Sequence, residues 1–462
     1  ARAGSPVRDA VTYGGEHKMN PAAHQVKRVA VSVLAAGLFS GSAMAADQYI
    51  PFGGIRLGSI SVIGTGIYGG YMDYMQLLND RDGGINGVKL AWEECETEYR
   101  IDRGVECYER LKKNKATGMT SIYSSYHTGT TYALTERAQA DKVPVVAVGS
   151  GRTDSSDGRV FPYVFPLVTN YLNEHVAIVK FIGEKEGGMN KLKGKKIVNL
   201  FLGIAAAKEA NSLFDAQAKQ YGFELTHIEI PFPGGEQQAQ WLQIRQIKPD
   251  WVVMRPAGIA APAALKTAVK VGFPVNKIVA WWWTGAEEDI ATAADAAKGL
   301  IATSLGPSGT NYPVMQEIQK RYYGGGKKGH IDDPKRVGSA YYNRGIVHAI
   351  IVTEAIRKAQ EKFGKRPLNG EEIQWGLEHL TLDSNRIKQL GAAGLVQPLK
   401  FSCKDHEGGG AVKFTQWDGK KWVAISDWIY GDPGLVRPIV EEAAMKYAKD
   451  KGITPRDCSK EG

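Results

Sequence analysis

Cysteine is scarce in this chain, with four among 462 residues. None stands in C-x-x-C spacing, which argues against a structural zinc site. No G-x-S-x-G, H-E-x-x-H or cysteine–histidine signature is present, so the common hydrolase and metalloprotease sites are excluded and the chain is not expected to be an enzyme. Asp405-His406-Glu407 lies beside Cys403 and before Gly408-Gly409-Gly410, and reads as a turn tied by a disulfide rather than a catalytic cluster. No cofactor is expected. Beyond the first 45 residues there is no run of about 18 apolar residues, so no bilayer-spanning helix is predicted there. The formal net charge is +9, but the basic residues are dispersed, with only short runs such as residues 193–196. That pattern reads as a solvated surface and not as a nucleic-acid site.

What is present begins with an export-like segment. Residues 1–18 carry no pattern. After Met19, Lys27 and Arg28 form a positive region, Val29 to Phe39 an apolar stretch, and Ala43-Met44-Ala45 an A-x-A cleavage site. Residues 1–45 are therefore predicted to be an upstream segment plus a signal peptide cleaved near Ala45, placing the rest in the periplasm. An even cysteine count in an exported chain favours disulfides. Cys95, Cys107, Cys403 and Cys458 allow three pairings, of which Cys95–Cys107 with Cys403–Cys458 is the most local. A hydrophobic content of 43% and a charged content of 23% suit a folded soluble chain.

The stretch Ile55 to Trp92 organises the remainder. Ile55 to Ile63 reads as a buried strand, Gly64-Thr65-Gly66-Ile67-Tyr68-Gly69-Gly70 as a flexible loop, and Tyr71 to Leu78 as a helix. Asn79 to Gly87 breaks that helix, and Val88 to Trp92 begins a second strand, which makes a β-α-β unit and predicts a parallel sheet. The glycines fit G-x-G-x-x-G. Trp92 ends the second strand where a dinucleotide site would place its ribose-binding acid, so a nucleotide site is not favoured.

Further units follow. Met119–Tyr123 and Val143–Val148 read as strands, each followed by a polar loop: Ser124 to Thr131, and Gly149 to Asp154. A second α/β half contains strands at Lys195–Leu202, Glu224–Ile230, Asp250–Met254 and Lys277–Trp283. Helices dominate after Gly306, notably Tyr342–Phe363. Late strands lie at Leu395–Phe401, Ala411–Gln416 and Lys421–Ile425, and a terminal helix at Glu441–Lys451. In open α/β sheets ligands sit at the carboxyl ends of strands, which points to these polar loops.

This order of segments resembles the periplasmic solute-binding proteins of ABC importers, of the branched-chain amino acid type. The residues that carry the resemblance are Ile55 to Ile63, Asn79-Asp80-Arg81-Asp82-Gly83-Gly84-Ile85-Asn86-Gly87, Ser124-Ser125, Val143-Pro144-Val145 and Phe414-Thr415-Gln416-Trp417. The resemblance implies an α/β fold of two Rossmann-like lobes with parallel sheets joined by a three-crossover hinge, the type I periplasmic binding fold. Lobe 1 would comprise 46–166 and 306–400, and lobe 2 would comprise 167–305 and 401–462. It also implies a monomer that closes on a small-molecule ligand and delivers it to an inner-membrane ABC permease. A sensory module that presents ligand to a signalling partner is the alternative.

The resemblance places a ligand carboxylate on hydroxyls and backbone N–H groups at Ser124, Ser125 and the Gly149 to Thr153 loop with its Ser150, Gly151 and Thr153, and Thr128 is a further candidate site residue. Arg152 and His127 are candidate carboxylate partners, Arg255 is their rival from the second lobe, and Tyr68, Tyr126 and Tyr171 are candidate wall residues. Amino-acid binders of this kind hold the ammonium with an acid after the last second-lobe strand. Segment matching puts Trp282 there, within Trp281-Trp282-Trp283, and puts Ala206 and Ala257 where tyrosines are expected. A lost acid, a wider cleft and added indole surface predict a flat, aromatic acid rather than a small zwitterion. Alternation along a strand puts Trp281 and Trp283 on one side and Trp282 on the other. That rule weakens at a strand end, so all three remain candidates. Branched-chain amino acid or amide binding is the other ligand class.

Overall fold

The glycine-rich stretch near the start lies inside a helix. In the computed structural model, which describes residues 46–325 and 327–460, the first central strand is Phe52–Gly54 and a long helix runs over Ser61–Asp82. The expected strand at Ile55 to Ile63 and the expected loop at Gly64 to Gly70 are both corrected by this. Each helical glycine costs about 1 kcal/mol of intrinsic propensity relative to alanine. Tertiary packing overrides that cost, because the helix Ala340–Phe363 lies directly against this one. A Cβ on Gly70 would stand 2.1 Å from the Tyr342 carbonyl oxygen, and one on Gly345 would stand 1.9 Å from that of Ile67. Gly70 and Gly345 therefore permit backbone-to-backbone approach of two helices, while in G-x-G-x-x-G itself Gly64 packs on Ile55, Gly66 on Tyr341 and Gly69 on Ile331, so the pattern serves packing. The helix stops where expected: Gly83 is left-handed at φ 68° and its N–H reaches the Leu78 carbonyl.

Two sheets result. The first is wholly parallel, in the order Glu94–Glu96, Phe52–Gly54, Tyr123–Ser125, Val145–Val148, Val164–Leu167. The second runs Glu224–Ile230, Lys196–Leu202, Trp251–Arg255, Ile278–Ala280, Ile301–Ser304, all parallel, and continues antiparallel through Ala411–Trp417 to Trp422–Ala424. The chain leaves the first sheet after Leu167, enters the second at Lys196, leaves it after Ser304 and re-enters it at Ala411. This is the α/β architecture of two parallel sheets that the sequence predicts. Among the strands not anticipated, two belong to these sheets' parallel portions. Val164–Leu167 contains Pro166, which argues against a central strand, and it occupies an edge. Ile301–Ser304 is too short to show a pattern.

Several ends differ as well. The central strand expected at Met119–Tyr123 is Tyr123–Ser125, so Ser124 and Ser125 belong to the sheet and not to a loop. The strand expected to run through Trp283 stops at Ala280. The last helix is Pro433–Lys451, opened by the Asp432 side chain, which accepts from the Gly434 N–H. Its Ala444 and Ala448 pack on Val160, Phe161 and Val164 beside the first sheet, although the sequence grouped this helix with the second lobe. Cys95–Cys107 and Cys403–Cys458 are both bonded, with Cα atoms 5.6 and 5.7 Å apart. The segment expected to be a signal peptide lies outside the described residues. No described helix is long and apolar enough to cross a membrane.

Gly345→Ala should destabilise the protein by about 1–3 kcal/mol, because a methyl group cannot enter that helix contact without moving backbone. An unchanged denaturant midpoint would show that the two helices do not meet so closely.

Candidate functional site

The carboxyl ends of both sheets border one small cavity. From the first sheet, the residues after Tyr123–Ser125 supply Tyr126 and Thr128, and those after Val145–Val148 supply Ser150. From the second, Ile204 and Ala206 follow Lys196–Leu202, Ala257 follows Trp251–Arg255, and Trp281 and Trp283 follow Ile278–Ala280. Ile60, Ile63, Tyr99 and Tyr171 complete the wall. No charged side chain lines this cavity among the described residues. Its chemistry is aromatic and aliphatic, interrupted by hydroxyls.

The three tryptophans divide as alternation implies. Trp281 and Trp283 face the cavity, while Trp282 is fully buried, stacked on Tyr171 with ring centres 5.4 Å apart. The cavity-facing indoles are fixed from behind. Trp283 Nε1 donates to the Tyr171 hydroxyl at 3.1 Å, and Trp281 Nε1 donates to the Pro256 carbonyl. Arg255 lies 4.8 Å over the Trp281 ring, and Arg344 lies 4.4 Å over the Trp283 ring. Arg255 also donates to the Ala206 and Ala207 carbonyls at 3.3 and 2.9 Å, holding the segment that presents Ala206 to the cavity.

A buried acid stands behind Trp282. Glu174 Oε1 accepts from the Trp282 N–H at 2.9 Å and from the Thr303 hydroxyl. Burial pushes this carboxyl up to about 7, against the opposing pull of Arg255. Sequence reasoning missed Glu174, since a lone glutamate on a helix normally marks the solvated face. It also missed Ile60, Ile63, Tyr99 and Ile204 as wall residues. The first two were assigned to a strand, and the others sit in connections with no motif.

The polar candidates separate sharply. The Thr128 and Ser150 hydroxyls both lie near the Tyr171 hydroxyl, lowering its pKa against the larger effect of burial. Thr128 opens the helix Thr128–Asp141, whose first amides have no side-chain cap. Tyr126 presents its ring, its hydroxyl being taken by His348 Nδ1 at 2.8 Å. Ser124 reaches the Tyr71 hydroxyl at 3.3 Å, away from the cavity. Ser125 is buried in its strand, and Tyr68 stacks on Phe52 at 4.6 Å. Gly151 turns with φ 112° but does not line the wall.

The candidate cations do not reach the cavity. Arg152 forms a two-pronged pair with Asp154 at 2.7 and 2.6 Å and lies among the rings of Tyr132, Phe161 and Tyr447. Burial lowers the His127 pKa to about 4. Its ring packs 3.9 Å from Tyr99, and its Nδ1 meets the Thr130 hydroxyl at 2.8 Å. His127 is thus uncharged at neutral pH.

The two sides also touch around the cavity. The Ile259 N–H donates to the Ser59 carbonyl at 3.1 Å, and Arg336 pairs with Glu288 at 2.9 Å. Glu209 accepts from the Tyr132 hydroxyl at 2.9 Å and from the Thr153 N–H at 3.0 Å. Thr153 therefore bridges the two sides and is not part of the wall.

Two parallel sheets meeting at a small, uncharged cavity make a solute receptor. The chain belongs to the periplasmic binding protein family, whose model matches residues 52–421, and it is a substrate-binding protein of the ABC transporter type. A crystal structure of an ABC transporter permease from the Pseudomonas fluorescens group is 45% identical, with a TM-score of 0.84, covering 89% of this chain and 99% of that one. A branched chain amino acid ABC transporter from Thermus thermophilus with bound valine is 19% identical, with a TM-score of 0.70, covering 85% and 99%. A solute binding protein of an ABC transporter from R. palustris in complex with benzoate is 18% identical, with a TM-score of 0.64, covering 84% and 98%. These last two show a shared fold. No curated protein matches the chain.

Glu174 makes a pH prediction. Its folded pKa of about 7 lies above the ordinary 4.5, so the folded protein keeps a proton that the unfolded chain releases over that interval. The stability tied to that proton is present below pH 4.5 and lost as the pH rises to about 7. Glu174→Gln, which mimics the neutral acid, should melt with the wild type at about pH 5 and a few degrees above it at about pH 8. A difference independent of pH would refute this assignment.

Proposed function

We propose that this protein captures a flat carboxylic acid, most simply an aromatic one, between its two halves and passes it to an inner-membrane permease. The observation that carries the reading is the wall itself: two indoles and three tyrosine rings, with hydroxyls and no acidic group. A zwitterionic amino acid would bury its ammonium there without a partner, at a cost of several kcal/mol. An aromatic ring gains stacking surface on Trp281 and Trp283. Its carboxylate is matched by the Thr128 and Ser150 hydroxyls and the amides opening Thr128–Asp141, which favour negative charge. Ala206 and Ala257 leave room that larger side chains would fill.

In this reading residues 1–45 direct export and are removed. The protein then acts in the periplasm as a monomer of two lobes. Ligand is drawn in because the closed form binds it more tightly than the open form, and that difference in affinity drives closure. The valine complex of the Thermus thermophilus relative keeps amino acids as the competing ligand class.

Calorimetry decides between them. Benzoate should bind and leucine should not, and micromolar leucine binding would overturn the aromatic-acid reading. Trp283→Ala should weaken benzoate binding by roughly 1–3 kcal/mol. Trp282→Ala, whose ring lies behind the wall, should lower the melting midpoint and leave the affinity of the folded fraction nearly unchanged.

A further inference from the structure

Arg344 is a buried cation with an incomplete set of partners. It projects from the helix Ala340–Phe363 and is 4% exposed. Its Nη2 donates to the Trp282 carbonyl at 2.9 Å, while Nε and Nη1 are buried and meet no acceptor. The guanidinium lies 4.4 Å over Trp283 and 5.5 Å from the Tyr341 ring centre. Trp283 itself lines the cavity, whereas Arg344 does not.

None of the acids nearby forms an ion pair with this guanidinium among the described residues. Asp289 accepts from the Tyr341 hydroxyl at 2.6 Å and from the Ala286 N–H at 3.1 Å, and burial pushes its pKa well above the usual range. Glu174 is shifted in the same direction and has Arg255 as its larger electrostatic neighbour. Glu288 is paired with Arg336. A guanidinium in such surroundings is costly unless some negative charge offsets it. The wall that separates it from the cavity contains no charge of either sign.

We infer that Arg344 is the specificity-determining charge of this cavity, making it favour an anionic ligand over a neutral one of the same shape through the Trp283 ring. This rests on the aromatic-acid reading above and adds the origin of its charge preference. Arg152, the sequence candidate for that role, is already paired with Asp154. Arg255 is a weaker candidate, because two carbonyls and Glu174 share its charge. Arg344 is a positioning group in contact with the wall and not with the ligand.

The test is a matched pair of probes, benzoate and benzamide, titrated calorimetrically at neutral pH into the whole protein. The wild type should prefer benzoate, and Arg344→Met should reduce the benzoate-to-benzamide affinity ratio roughly ten- to a hundredfold. Benzamide affinity itself should change little. Methionine suits the site because an apolar side chain of similar length leaves no unsatisfied charge there. Arg344→Gln carries the same test if the methionine variant does not fold, and Arg344→Lys should preserve the ratio. An unchanged ratio in the Met or Gln variant, or equal loss of both probes, overturns the inference and leaves the aromatic-acid reading standing. A wild type that binds benzamide as tightly as benzoate overturns the inference and the anionic part of that reading. Binding of neither probe overturns both.

Discussion

The close approach of two glycine-bearing helices is the constraint on which the cavity depends. Ser61–Asp82 and Ala340–Phe363 meet through Gly70 and Gly345 with backbone almost touching backbone. The first helix begins with Ile60 and Ile63 in the wall of the cavity. The second carries Arg344, against Trp283, and His348, against Tyr126. A single methyl group at the crossing would separate these elements, and the rings they support would lose their backing.

From that crossing outward, the site is built in layers. The inner layer is neutral, made of indole, phenol, hydroxyl and methyl groups. The layer behind it holds Arg255, Arg344, Glu174 and Asp289, all buried. Such a design separates shape from charge. The rings of the inner layer supply contact surface, while the charges behind them sit in a medium with little water to screen them. Keeping the charges out of contact also spares an unliganded cavity the cost of an exposed, unpaired ion on its wall.

The outer rim has a different chemistry. Ile259 with Ser59, Arg336 with Glu288, and Glu209 with Tyr132 and Thr153 join the two sides by polar contacts. These contacts are polar where the cavity wall is aromatic.

The periodic and compositional information in the chain was sufficient for the class of fold. Strand Glu224–Ile230 was located to the residue, and the Gly83 stop was anticipated, because local patterns of apolar residues and left-handed glycines are written in neighbouring positions. The alternation that puts Trp281 and Trp283 together was also legible, since it depends only on chain geometry. What the chain could not reveal locally was which glycines bend and which pack. Gly64 to Gly70 looks like a loop until the distant Ala340–Phe363 helix is laid against it. In the same way Arg152 resembles a ligand partner until Asp154 and three rings enclose it, and Glu174 and Arg344 resemble surface residues until folding buries them. Contacts between residues a hundred or more positions apart set the roles of those glycines, of Glu174 and of part of the Arg152 enclosure, and only the tertiary structure holds them.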